Sequence, residues 1–173
     1  MKKSIALSLV LIFGISLLIG CGSNKDNGSK NSAETIQLEY YSFALVKGWY
    51  LNDLVGSSGC DVKNETLTGE VKLGVHAIKK PEEILPSILN QFEGNKQVDN
   101  VTIGGIEYFM VVNEERNTID LLETKKGANA IAVFMHRLNN VSLEQATPLI
   151  ETLKMNSEAL EMDEDEIKAK LRD

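Results

Sequence analysis

The sequence predicts an α+β domain over residues 36–155, an antiparallel β-sheet of about six strands flanked by helices. Three observations carry that expectation. Several short runs alternate apolar and polar residues, two others repeat their apolar residues at helical spacing, and the two kinds of run are segregated along the chain. Four of the β-rich runs follow one another through short polar links, the pattern of consecutive hairpins.

The elements follow in order. Ile36, Leu38 and Tyr40 alternate with polar residues before the register shifts to Phe43 and Leu45. A strand there ends near Lys47-Gly48, and Trp49-Tyr50 opens the next extended segment. Val55 to Thr68, with Gly56-Ser57-Ser58-Gly59, reads as loop. Glu70 to Ile78 alternates again, with Val71, Leu73 and Val75 on one face and Lys72 and His76 on the other. Pro81-Glu82-Glu83 opens a helix, proline early and acids in the first turn. Ile84, Leu85, Ile88, Leu89 and Phe92 form its apolar stripe; Pro86 either kinks the helix or marks its true start, and Gly94-Asn95 ends it.

Val98–Ile103, Ile106–Asn113, Thr118–Thr124 and Ala130–Leu138 are the four consecutive strands, a C-terminal meander. Gly104-Gly105 supplies the positive φ angles of the tightest hairpin. Ser142-Leu143-Glu144-Gln145 has capping-box spacing, and Leu143, Ala146, Leu149, Ile150 and Leu153 follow as a helical stripe that includes Pro148. Residues 156–173 are strongly charged, either a short solvated helix or a frayed end.

The N-terminus has its own organisation. Met1-Lys2-Lys3 is basic, and Ile5 to Ile19 is apolar apart from Ser8, Gly14 and Ser16. Leu18-Ile19-Gly20-Cys21 follows. A charged start, an apolar run and a small residue at the cut make a secretory signal. The apolar run is at the short edge of the roughly 17–25 residues that span a bilayer. Leu18-Ile19-Gly20-Cys21 resembles the bacterial lipobox. That resemblance implies a diacylglyceryl thioether on Cys21, cleavage of residues 1–20, and Cys21 as the lipid-anchored first residue on the extracytoplasmic side of the cell membrane. Two acyl chains hold a protein stably, at about 0.8 kcal/mol per buried methylene, where one holds it only reversibly. Residues 21–35 then form the lipidated end and a flexible linker, rich in Ser, Asn, Gly and Lys. Such a linker reaches roughly 20 Å, so the domain works near the membrane surface.

Composition excludes some partners. The chain carries 18 Lys and Arg against 25 Asp and Glu, and loss of Lys2 and Lys3 with the leader makes it more acidic. Its overall field repels nucleic acid and anionic lipid, so no nucleic-acid partner is expected. With Cys21 lipidated, Cys60 is left alone and no disulfide forms within the mature chain. A lone cysteine is most often a small buried hydrophobe.

The order of elements also bears on family. The opening strand ends in Lys47-Gly48-Trp49-Tyr50, and Pro81-Glu82-Glu83-Ile84-Leu85 opens the helix. Val101-Thr102-Ile103-Gly104-Gly105-Ile106-Glu107-Tyr108 follows, and Leu143-Glu144-Gln145-Ala146 through Ile150 to Leu153-Lys154-Met155 closes the domain. This resembles the PsbP-like sandwich, shared by a photosystem accessory subunit, a Ran-binding nuclear factor and many small bacterial lipoproteins. Over residues 36–155 the resemblance implies an α/β/α sandwich and a binding or assembly role rather than catalysis. It carries no site motif to these positions.

Candidate chemistry is sparse. His76 and His136 lack further ligands at metal spacing, so no metal or other cofactor is expected. Gly56-Ser57-Ser58-Gly59-Cys60 has cysteine where a nucleophile elbow about Ser58 needs glycine. Asp163-Glu164-Asp165-Glu166 lacks the glycine and the distal acid of a calcium loop. Tyr40, Tyr41, Trp49 and Tyr50 are the candidate binding surface, because strand alternation sends Tyr40 and Tyr41 to opposite faces. The core is the commoner place for a lone tryptophan. The expected function is therefore a membrane-anchored, non-catalytic binding or assembly module for an envelope protein. The alternatives are a small envelope hydrolase, which needs Glu107, Asp120 or Glu123 beside His76 or His136, and a single-pocket small-ligand binder.

Overall fold

The computed structural model describes residues 34–56, 58–77, 80–124 and 132–156. They belong to one compact unit, Ser32–Asp173. In chain order the elements are β1 (Thr35–Gln37), β2 (Tyr41–Ala44), β3 (Trp49–Val55), β4 (Gly59–Asn64), β5 (Glu70–Ala77), α1 (Pro81–Gln91), β6 (Lys96–Ile103), β7 (Ile106–Asn113), β8 (Thr118–Glu123), β9 (Ala132–Asn139), α2 (Leu143–Ile150) and β10 (Lys154–Met155).

The strands form two antiparallel sheets, one of seven strands in the order β3-β4-β5-β9-β8-β7-β6 and one of three in the order β1-β2-β10. This corrects the expected class. The chain is β-rich, not an α+β or PsbP-like α/β/α sandwich of about six strands with flanking helices. Two causes account for the error. Residues 36–45 form a hairpin, Leu38 N–H donating to Tyr41 O across the turn, and β1, β2 and β10 are too short to show a period. The stretch read as loop contains β4, whose Cys60 and Val62 are buried while their neighbours face outward. Of the glycines that disguised it, Gly56 lies in the β3–β4 turn with φ 62° and Gly59 is the first residue of β4.

Strand alternation divides the large sheet into two faces. On the inner face Cys60, Val62, Val71, Leu73, Tyr108, Leu121, Phe134 and Leu138 pack in one cluster with Tyr41 and Phe43 of β2 and Ala146, Leu149 and Ile150 of α2. Each such side chain contributes roughly 1.5–3 kcal/mol by leaving water. Tyr41 meets Phe134 edge-on, with ring centroids 5.8 Å apart. On the outer face α1 lays Ile84 and Ile88 on Val111, Leu122 and Val133. Helix α1 is one turn longer at its start than Pro86 alone would allow: it begins at Pro81, and Pro86 sits exposed within it. Helix α2 is capped as its sequence predicts, with Ser142 N–H donating to Gln145 Oε1 at 3.0 Å and Gln145 N–H to Ser142 Oγ at 3.3 Å.

Candidate functional site

Helix α1 reaches only part of the outer face. Beyond its edge, Gly59 of β4 stands directly opposite Gly74 of β5. Both glycines fall on the outer side of their strands, with Asp61 and Lys72, and a pair without side chains leaves a hollow there. The hollow is a cleft of about 280 Å³ between α1 and the β4–β5–β9 part of the sheet, near the lower limit for small-molecule sites. Val55, Ile88 and Met135 give it apolar lining, Asp61, Lys72, Gln91 and Arg137 supply polar groups, and the inner-face residues Cys60, Leu73 and His136 border it from beneath. Val55 is 55% exposed and Met135 36% exposed, so apolar surface continues onto the rim. A Cβ on Gly74 would stand 3.5 Å from Met135 O and 3.6 Å from Ser58 O, ordinary contact distances, whereas one on Gly59 would stand 3.1 Å from Val55 O.

The polar groups are tied into ion pairs. Lys72 Nζ lies 3.3 Å from Asp61 Oδ2 and 3.3 Å from Glu70 Oε1. Partial burial would lower its pKa, but hydrogen bonds to Glu70 and Asp61 more than reverse this, and Lys72 holds its proton tightly. Arg137 pairs with Asp120 through Nε and Nη2, donates to Gln91 Oε1 at 2.7 Å, and lies over the Phe92 ring. Asp61 Oδ1 is buried with no hydrogen-bond partner among the described residues.

Of the candidates named from the sequence, Cys60 and His136 border the cleft and the others fall elsewhere. Leu18, Ile19, Gly20 and Cys21 lie outside the described residues, as do Ser57 and the 163–166 acidic run. Among the described residues no helix is long and apolar enough to cross a membrane. Tyr40, Tyr41 and Trp49 are all buried, and of that group only Tyr50 is exposed. The expected split between Tyr40 and Tyr41 fails because alternation holds only within a strand. Tyr40 precedes β2, in the bend after β1. Tyr41 Oη and Cys60 Sγ meet at 3.7 Å in the core. Burial, offset in part by that contact, pushes the Cys60 thiol up to about 11, so it is neither a ready nucleophile nor a ready metal ligand.

The two histidines point to opposite faces of the large sheet. His76 pairs with Val133 across β5–β9 on the outer side. His136 is buried on the inner side, its Nδ1 accepting from Gly74 N–H at 3.4 Å and its Nε2 without a partner among the described residues. Burial alone lowers its pKa to about 3, so it is neutral at physiological pH. Asp120 is taken by Arg137, and Glu107 Oε2 accepts from Thr124 Oγ1 at 3.0 Å. Glu123 stands opposite Tyr108, whose ring centroid is 5.8 Å from that of His136. Burial raises the Glu123 pKa, and the Phe134 N–H bond at 3.0 Å pulls it back in part. This seam of Glu123, Tyr108 and His136 is sealed by the inner layer, with Tyr108 and His136 both within 1% of full burial. Of the three, His136 also borders the outer-face cleft. Among the described residues no three metal-ligating side chains converge.

Sequence reasoning missed the cleft. Its one local signal was Gly74, an isolated glycine inside the Val71–Leu73–Val75 alternation, which marks a bulge or a place where something approaches the backbone closely. Its partner Gly59 was hidden in a stretch read as loop.

No family model and no curated protein matches the chain. A solved structure from Bacteroides thetaiotaomicron VPI-5482 is similar at 12% identity, with a TM-score of 0.41, over 68% of this chain and 46% of that one. The chain thus spans less than half the length of the solved protein it matches.

Proposed function

We propose that this chain is a lipid-anchored, non-catalytic binding module of the bacterial envelope, held by diacylglyceryl-Cys21, and that its ligand site is the outer-face cleft. The paired glycines Gly59 and Gly74 carry the reading, because they stand together at an apolar hollow beside ion-paired side chains. A non-catalytic role is supported by the chemistry of the usual nucleophile and base. The Cys60 thiol is raised to about 11 and His136 is lowered to about 3, both chiefly by burial. An apolar site close to the membrane suits a ligand that partitions between lipid and water.

The test uses the chain starting at Gly22 and the neutral fluorescent probe N-phenyl-1-naphthylamine. Saturable blue-shifted emission, lost in Gly74→Leu, is the expected result. Equal emission from both chains would remove the cleft as the site.

A second reading, assembly with an envelope protein, rests on β3. This edge strand of the large sheet exposes Tyr50, Leu54 and Val55, and its register shift between Leu51 and Asp53 is the main feature guarding it. A crosslinked pull-down from native membranes, with Cys21→Ala as the unanchored control, decides this reading. A stoichiometric envelope protein lost in the control supports it, and none in either sample sinks it.

A further inference from the structure

Granted that the cleft binds a ligand, its polar end says which kind. Asp61 is on the cleft wall, with a side chain 15% exposed. Its Oδ2 accepts from Lys72, while Oδ1 is buried and unpartnered among the described residues. A buried carboxylate oxygen without a donor is costly, and a ligand N–H or O–H removes that cost. Asp53 of β3 stands directly opposite Asp61, a like-charge pair that is destabilising by itself. The nearest cation, Lys72, is shared with Glu70 and leaves this end of the cleft short of positive charge. Lys63 does not supply it, because its cross-strand neighbours are Tyr50 and Glu70, further along the sheet. Arg137, directly across from Lys72 on β9, is committed to Asp120 and Gln91.

We infer that the cleft takes a small amphiphilic cation, an apolar body carrying a protonated amine, with the body on Ile88 and Met135 and the ammonium at the Asp61 carboxylate. The amine answers both observations: on a turn of the Asp61 carboxylate it donates to the orphan oxygen, and its charge relieves the Asp53–Asp61 opposition. A carboxylate of the same size would add a third acid there, and an alcohol would satisfy the oxygen but leave the charge. A volume of about 280 Å³ admits a body of roughly ten non-hydrogen atoms.

The experiment is calorimetric titration of the full chain in lipid nanodiscs with 4-phenylbutylamine, 4-phenylbutanol and 4-phenylbutyrate at neutral pH. The Gly74→Leu chain in identical nanodiscs gives the lipid-partition baseline. The amine is expected to bind about tenfold more tightly than the alcohol, with the carboxylate weakest. Asp61→Asn should bring the amine to the level of the alcohol and leave the alcohol within about twofold, which also shows the variant folded. An amine no tighter than the alcohol, or a preference that survives Asp61→Asn, overturns the amine inference while saturable alcohol binding upholds the cleft. No saturable binding of any probe above the Gly74→Leu baseline overturns both.

Discussion

His136 is the residue whose burial has the clearest consequence in solution. Its pKa of about 3 in the fold lies well below the ordinary value of 6.5, so protonation favours the unfolded chain. A depressed pKa adds stability that is complete above pH 6.5 and is lost as pH falls toward 3. Across that window this group alone should lower stability by about 1.4 kcal/mol per pH unit. Glu123 acts with the opposite sign, because its raised pKa favours the folded, protonated form in acid, and it offsets part of the loss. Urea unfolding at several pH values should therefore show a steep acid decline that His136→Gln flattens, glutamine keeping an acceptor for Gly74 N–H. An unchanged slope in the variant would mean His136 is not the sealed group described here. None of this is legible in the sequence, where His136 is merely one of two strand histidines. Its neighbours Tyr108 and Phe134 come from strands β7 and β9, brought together only by the register of the large sheet.

At the scale of elements, what could be read was whatever has a local cause. Helix α2 was visible because Ser142 and Gln145 are three residues apart and satisfy each other's backbone N–H groups. Ser142→Ala should cost about 1 kcal/mol, seen as a lower urea midpoint at unchanged slope, with a larger loss if the cap also fixes the entry from Val141. The meander from β6 to β9 was visible because its turns are polar and its strands long. Strand β4 was not, since Gly56, Ser58 and Gly59 look like loop until Val62 is seen opposite Val71 and Leu51. Strand β10 is two residues long and pairs with β2 from more than a hundred residues away, Lys154 opposite Ser42. A pairing that distant leaves no local periodicity. The cleft shares this blindness, because a hollow made by Gly59 and Gly74 exists only once the register of two strands is set.

The whole molecule combines a tether expected from its first twenty-one residues with a seven-stranded sheet whose two faces are used differently. The inner face is sealed by the small sheet and α2 and holds every large buried aromatic ring named above. The outer face is half covered by α1, and the uncovered half carries the cleft, the ion pairs and the exposed apolar rim. Stability and binding are thereby separated: the glycines that open the cleft are not what the core packs on, and filling it should leave the fold intact. The most direct test of this account is native mass spectrometry of the full chain purified from the cells that produce it, compared with Gly74→Leu prepared in the same way. The account predicts a small-molecule adduct on the wild-type chain that is missing from Gly74→Leu, with both chains folded. The same adducts on both chains, or none on either, would contradict it.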